Sequence, residues 1–253
     1  MERKTVIEVS HVDAGYDHPV LRDVDFKVFQ GEVFVVLGGS GCGKSTMLKH
    51  MIGLNPPLAG TVRLIGDDIW SGDAAERTRA LRHFGVSYQS GALFGSMTLL
   101  ENVLLPLEYF TSLPPSARRL LALMRLEQVG LRDYAGFYPA DISGGMKKRA
   151  AIARALALEP EILFLDEPSA GLDPVTSAGL DRLLLELRDR HGMTMVMVTH
   201  ELPSIFAVAD RCVMLDRAAQ GMIAQGKPAE LRDYPPNDTV RRFFNRQAEG
   251  DKS

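Results

Sequence analysis

Gly38-Gly39-Ser40-Gly41-Cys42-Gly43-Lys44-Ser45-Thr46 lies between an apolar run, Val33 to Leu37, and a helical pattern formed by Met47, Leu48, Met51 and Ile52. A strand, a glycine-rich loop fitting G-x-x-x-x-G-K-[ST] and a helix, in that order, constrain the chain more than any other stretch. The glycines let the backbone curl into a concave nest whose N–H groups point inward. The helix that follows adds unpaired N-terminal donors and about half a positive charge from its dipole. Such a nest takes a phosphate. Lys44 is expected to reach the β- and γ-phosphates of a nucleotide, and the Ser45 hydroxyl to ligate Mg²⁺.

A chain of 253 residues forms one large domain or two small ones. The net charge of −3 leaves no basic excess of the kind a nucleic-acid partner requires, so no such partner is expected. No apolar run approaches the ~20 residues that span a bilayer, and Met1-Glu2-Arg3-Lys4 does not open a signal peptide. Cys42 and Cys212 make no disulfide framework. A cytosolic chain is expected, with any membrane contact made through another subunit.

Thr5 to Val9 and the alternation Val24, Phe26, Val28 read as half-exposed antiparallel strands. Between them, Gly15-Tyr16-Asp17 is a turn carrying an aromatic ring, either a rim residue or a ring that stacks on a base. Thr61 to Ile65 and Gly85 to Tyr88 read as further strands, and Ala74 to Leu81 as a short helix. Gln89 follows the second of these strands, and the loop Ser90 to Gly95 follows Gln89. From Ser96 to Asp141 strands give way to helices. Thr98-Leu99-Leu100-Glu101 has capping-box form and opens a helix that Pro106 should kink, and Ala117 to Val129 is a second helix stopped by Gly130. Leu93, Phe94, Leu99 and Tyr109 form either a groove for a partner's helix or the small core of this helical insert.

Ser143 caps the next helix, which is expected to run to about Leu158, so Gly144 and Gly145 present N–H groups at a positive helix end. Lys147, Lys148 and Arg149 read as a solvated charged face. Ile162 to Leu165 is a strand buried on both faces, and it ends in Asp166-Glu167. Adjacent carboxylates there are costly unless they hold a metal or do chemistry. Asp173 caps a helix with Pro174 at its first position. Thr194 to Val198 is another buried strand, and His200 follows it at the strand edge where parallel sheets bind ligands. Cys212 to Leu215 and Met222 to Ala224 form a closing hairpin, and a short amphipathic helix carries Val240, Phe243 and Phe244.

The glycine loop, Gln89, Ile142 to Met146, Asp166-Glu167, Asp173 and His200 occur in the order of the ATP-binding cassette (ABC) family, which the chain resembles over about residues 5–232. The resemblance implies an α/β fold: a P-loop NTPase (RecA-like) core with an N-terminal antiparallel β subdomain and an inserted helical subdomain. It divides one ABC ATPase domain, 1–253, into core and β subdomain (5–95 and 159–232), a helical signature part (96–158) and a C-terminal tail (233–253). It gives Tyr16 the role of the adenine-stacking aromatic, and Gly38 to Thr46 that of the Walker A loop. Gln89 becomes the Q-loop glutamine that contacts Mg²⁺ and water, and Asp166 the Walker B aspartate that helps hold Mg²⁺. Glu167 matches the general base and His200 the switch histidine. Ser143, Gly144 and Gly145 match the signature, and Asp173 the loop that communicates across a dimer. The implied assembly is a head-to-tail homodimer, with ATP between Walker A of one chain and the signature of the other, carried by permease subunits.

Ile142 and Met146 depart from the family's L-S-G-G-Q signature, while Ser143 and Gly145 are intact. With Tyr88 to Phe94 and Glu167 to Pro174, the stretch Ile142 to Arg149 resembles the Mla group, ATPase subunits of phospholipid transporters that work with MCE-type lipid-binding proteins. The expectation is therefore a motor at the cytoplasmic face of a bacterial inner membrane, moving phospholipid between membranes. The alternative is the motor of another importer, for amino acids or ions. An ABC protein acting on ribosomes or DNA would bring tandem cassettes, coiled coils or a basic surface. Glu167 and His200 argue against a regulatory module without turnover.

Overall fold

The computed structural model describes residues 3–70 and 74–247, so the end of the C-terminal tail lies outside the described residues. Strands β1 (Thr5–Gly15) and β2 (Pro19–Phe29) pair antiparallel around the turn that carries Tyr16. In β1 the buried positions shift phase, from Ile7 and Val9 to Val12 and Ala14. The shift coincides with His11 at φ 50 and a break in register between Val9 and Val12, so a bulge keeps one face of the strand inward despite the change in parity. Strand β3 (Val33–Gly38) leads through the glycine loop into α1 (Lys44–Met51). Then come β4 (Ala59–Leu64), the two-residue β5 (Asp67–Asp68), α2 (Ala74–Arg82) and β6 (Phe84–Ser87).

The expected helical insert holds α3 (Leu99–Phe110), α4 (Pro115–Gln128) and two short 3₁₀ turns ahead of α5 (Gly144–Ala155). The capping box forms as written: Thr98 Oγ1 accepts from Glu101 N at 3.2 Å, and Glu101 Oε2 accepts from Thr98 N at 2.7 Å. Pro106 lies within α3, which continues as one helix to Phe110. Helix α5 stops earlier than expected: past Leu156 the bonds tighten to the i→i−3 pattern, Ala157 N to Arg154 O at 3.1 Å and Glu159 N to Leu156 O at 3.0 Å, before the chain turns through Glu159 at φ 54.

The remaining elements are β7 (Ile162–Asp166), α6 (Pro174–His191), β8 (Thr194–Val198), α7 (Leu202–Val208), β9 (Arg211–Asp216), β10 (Gly221–Gly226), α8 (Pro228–Asp233) and α9 (Asp238–Asn245). One sheet has the order β2-β1-β4-β5 and is antiparallel. The other has the order β10-β9-β3-β8-β7-β6, parallel except for its β9–β10 edge. This is the expected α/β P-loop fold.

The buried strands of the larger sheet divide their residues by parity between two cores. Val33, Val35 and Leu37 face the helical side with Leu163, Leu165, Met195 and Met197. Phe34 and Val36 face α1 and the antiparallel sheet with Phe164, Val196 and Val198. The Phe26 and Phe34 rings stack at 5.2 Å, joining the two sheets across the second core. Val240 and Phe244 of α9 are buried in the first core, so the described part of the tail packs on the molecule.

The four apolar residues considered for a groove part company here. Leu99 is fully buried, because it opens α3 on the helix's inward side, and Leu93 packs partly against the same core. Phe94 and Tyr109 stay exposed.

Candidate functional site

Strand register brings the motifs to one edge. Val198 pairs with both Val36 and Asp166, and Ser87 pairs with Leu165. The glycine loop, Tyr88-Gln89, Asp166-Glu167 and Thr199-His200 therefore leave neighbouring strands at the same end of the sheet. That is where open α/β sheets place ligands.

The loop needs its glycines at two places in particular. Gly38 has φ 148, and a Cβ there would lie 2.3 Å from Leu215 O and 2.7 Å from Cys42 Sγ. Gly43 has φ 101, and a Cβ would press to 2.8 Å from Leu21 Cγ. Gly39, Ser40, Gly41 and Ser45 are exposed and Thr46 is half-buried. Cys42 is buried, and burial pushes its thiol up from its usual range, so it contributes backbone rather than a nucleophile. Lys44 Nζ donates to Gly38 O at 2.9 Å and Gly39 O at 3.0 Å, which holds the ammonium within the loop. No side chain caps the N-terminus of α1, so its first N–H groups are free to meet an anion.

Burial, followed by the adjacent Glu167 charge, raises the Asp166 carboxyl above its usual range. Asp166 Oδ1 is buried without a hydrogen-bond partner, an arrangement that fits a cation ligand. Tyr88, Gln89, Ser90, Ala170 and Gly171 line the cavity beside it. Glu167 is 8% exposed and sits at φ 45, a costly conformation that its N–H bond to Val198 O at 2.8 Å helps hold. Its Oε1 meets His200 Nδ1 at 2.8 Å, while its Oε2 is buried without a partner. With Glu167 ionised, Nδ1 is the donor, which leaves His200 Nε2 for another partner.

Tyr16 is 54% exposed, and Lys49 of α1 donates to its hydroxyl at 2.9 Å. The ring is thereby tethered to the helix that follows the glycine loop. Ser143 Oγ accepts from Met146 N at 3.3 Å, the expected cap. A Cβ at Gly144 would meet Leu172, and one at Gly145 would meet Thr176 at 2.5 Å, so this helix end sits against the loop before α6 and its first turn. Asp173 accepts from Val175 N and Thr176 N, both at 3.0 Å, and its hydrogen bonds to Thr176 hold the carboxyl below its usual range. Within this chain Asp173 is a helix cap.

One expectation fails here. Lys148 does not belong to a solvated face: it is 8% exposed, and burial pushes its ammonium below the usual range against the pull of Asp166, Glu167 and Glu201. The signal was present in the spacing, since Lys148 falls between Gly145 and Ile152 on the buried stripe of α5.

The profile of the family described as "ABC transporter" matches residues 21–170. The chain belongs to the ABC transporter family. The methionine import ATP-binding protein MetN of Caulobacter vibrioides is 39% identical over 247 residues, 98% of this chain and 73% of that protein. The probable ribonucleotide transport ATP-binding protein mkl of Mycobacterium leprae is 40% identical over 226 residues, 89% of this chain and 64% of that protein. Among solved structures, cbiO1 from Clostridium perfringens, part of the ABC transporter complex cbiONQ, superposes with a TM-score of 0.83 at 26% identity, covering 91% of this chain and 92% of that one. The ATP-binding cassette MJ0796, a dimer in a post-hydrolysis state bound to ADP and Pi, gives 0.78 at 31% identity, covering 87% and 98%. This cassette is an ATP-binding, ATP-hydrolysing subunit of an ABC transporter.

An exposed ring tethered beside the phosphate loop should contribute its face rather than its hydroxyl. We expect Tyr16→Ala to weaken ATP binding by about 1–3 kcal/mol, with Tyr16→Phe close to the parent, both read by calorimetric titration. Equal affinities for Tyr16→Ala and the parent would exclude stacking.

Proposed function

We propose that this subunit hydrolyses ATP with Glu167 as general base and His200 as its partner on the γ-phosphate. The observation that carries the reading is the contact between the buried Glu167 and the exposed His200 at the C-terminal edge of β7 and β8. Phosphoryl transfer needs mainly positioning and charge neutralisation. Lys44 and the free N–H groups of α1 supply both for the β- and γ-phosphates. Asp166, Ser45 and Gln89 are the residues that would hold Mg²⁺, which when bound neutralises phosphate charge. Glu167 accepts the proton of the attacking water.

Gly144 and Gly145, which open α5 after its Ser143 cap, meet Leu172 and the first turn of α6 rather than their own glycine loop. This supports a head-to-tail homodimer in which they complete the site of a second copy, as the dimeric MJ0796 cassette encourages.

No helix among the described residues is long and apolar enough to cross a membrane, so transport requires permease subunits. The groove where Phe94 meets Leu81, Val86, Leu105, Pro106 and Tyr109 is a seat for a permease helix, between the core and the helical part at 96–158. A cassette docked there works at the cytoplasmic face of the inner membrane. For the cargo, methionine importers among the relatives favour a small-solute importer over phospholipid transport, and they lend no support to an MCE-type partner. The phospholipid reading keeps one observation of its own, Met146 in place of the signature glutamine within Ile142 to Arg149.

Four experiments test these proposals. Glu167→Gln should keep ATP binding and lower turnover about 10²- to 10⁴-fold, and near-parent turnover would remove Glu167 from the role. Phe94→Asp should separate cassette from permease on co-purification while leaving the Tm unchanged, whereas an intact complex would argue that the groove is not the seat. The parent complex then decides the cargo, by whether small solutes or phospholipid stimulate its turnover. Finally, Lys44→Ala and Ser143→Arg subunits, each defective alone, should recover ATP-stabilised closure at one site when paired, because one composite site carries neither defect. No recovery in the isolated heterodimer would refute the shared site.

A further inference from the structure

Helix α5 sends two cations back onto the loop that follows β6. Arg154 donates to Ala92 O at 2.7 Å and Gly91 O at 3.0 Å. Lys148 Nζ donates to Gln89 O at 2.5 Å and to Glu167 O at 3.0 Å. Three of the four acceptors have positive φ, Gly91 at 74, Ala92 at 47 and Glu167 at 45. Such turns persist only where their surroundings fix them. Glu167 O also accepts from Ala170 N at 3.2 Å, and Tyr88 O accepts from Gly91 N at 2.7 Å, so each loop closes on itself next to the lysine's acceptors.

We propose that Lys148 is a positioning residue of the hydrolysis site. Its ammonium fixes the backbone of Gln89 relative to that of Glu167 and ties both to α5, so that a rotation of α5 carries the two residues with it. The proposal rests on the roles given above to Gln89 and Glu167. Lys148 lies only about 6 Å along the helix from Gly144, so the tie and the signature end move as one rigid segment. A buried ammonium without partners would be costly, and the two carbonyls take two of its three donors. No hydrogen bond links it to either functional side chain, so its action on chemistry is through backbone placement.

The test compares Lys148→Met, which keeps length and loses the donors, with Lys148→Arg, which keeps them, in the full chain bound to its permease. Glu167→Gln is run alongside. Lys148→Met should lower kcat about 10²-fold with KM for ATP little changed, as expected for misplaced reacting groups. Amide hydrogen exchange should quicken at Gly91 and Ala170, and the Tm should stay near the parent's. Lys148→Arg should restore most of kcat and the slow exchange. Parent-like kcat and exchange in Lys148→Met, with Glu167→Gln inactive, would overturn the proposal alone. A lowered Tm in Lys148→Met, with Lys148→Arg equally impaired, would overturn it in favour of plain packing. Parent-like turnover in Glu167→Gln would overturn the assignment beneath it, and the proposal too.

Discussion

Two neighbouring carboxylates at the end of a strand buried on both faces set the terms for the rest of this structure. Asp166 and Glu167 each keep one buried oxygen with no hydrogen-bond partner. Leaving such atoms unpaired costs roughly 1–3 kcal/mol apiece, more when charged, so the fold retains them at the expense of its own stability. The polar groups around them are therefore part of the design. Lys44 is held inside the glycine loop, His200 meets Glu167 directly, and Lys148 reaches the Glu167 carbonyl from the far side.

That edge is rigid because the parallel strands beneath it are buried on both faces. The alternation that sends Leu163 and Leu165 to the helical side, and Phe164 to the other, gives each core a claim on the same strand. A strand gripped from both sides cannot slip by one residue without exchanging its two faces. Register at β7 and β8 is thus enforced by packing, and the placement of Asp166 opposite Val198 follows from it. The antiparallel sheet is less constrained. It absorbs a bulge in β1, and its connecting turn carries Tyr16 out beside α1.

Much of this was legible from residues alone. The loop between β3 and α1, the Thr98–Glu101 box, the Asp173 cap and the two buried strands follow from local rules that act over a few residues. What escaped did so for more than one reason. Lys148 and Leu99 are decided by which side of a helix meets the core, and a run such as Lys147-Lys148-Arg149 hides that side under its charge. Helices α7 and α8 and strand β5 are too short for periodicity to register. The turns that follow α5 lead into a left-handed Glu159, a conformation that nothing in a glutamate announces.

The division between legible chemistry and illegible cargo has a physical basis as well. Hydrolysis asks for particular atoms in fixed places, so its residue types are confined to a few and recur in order. Cargo is met by other chains, and this subunit would sense it only through contacts such as the groove at Phe94 and Tyr109. A groove of that kind accepts any helix of suitable shape, because apolar contact has no direction and little chemical specificity. Signature substitutions such as Met146 sit at the helix end that would face a second copy rather than the cargo. They can tune how the two copies close, but they make no contact by which a methionine could be told from a phospholipid. The identity of what is moved therefore has to be read from the permease and its companions.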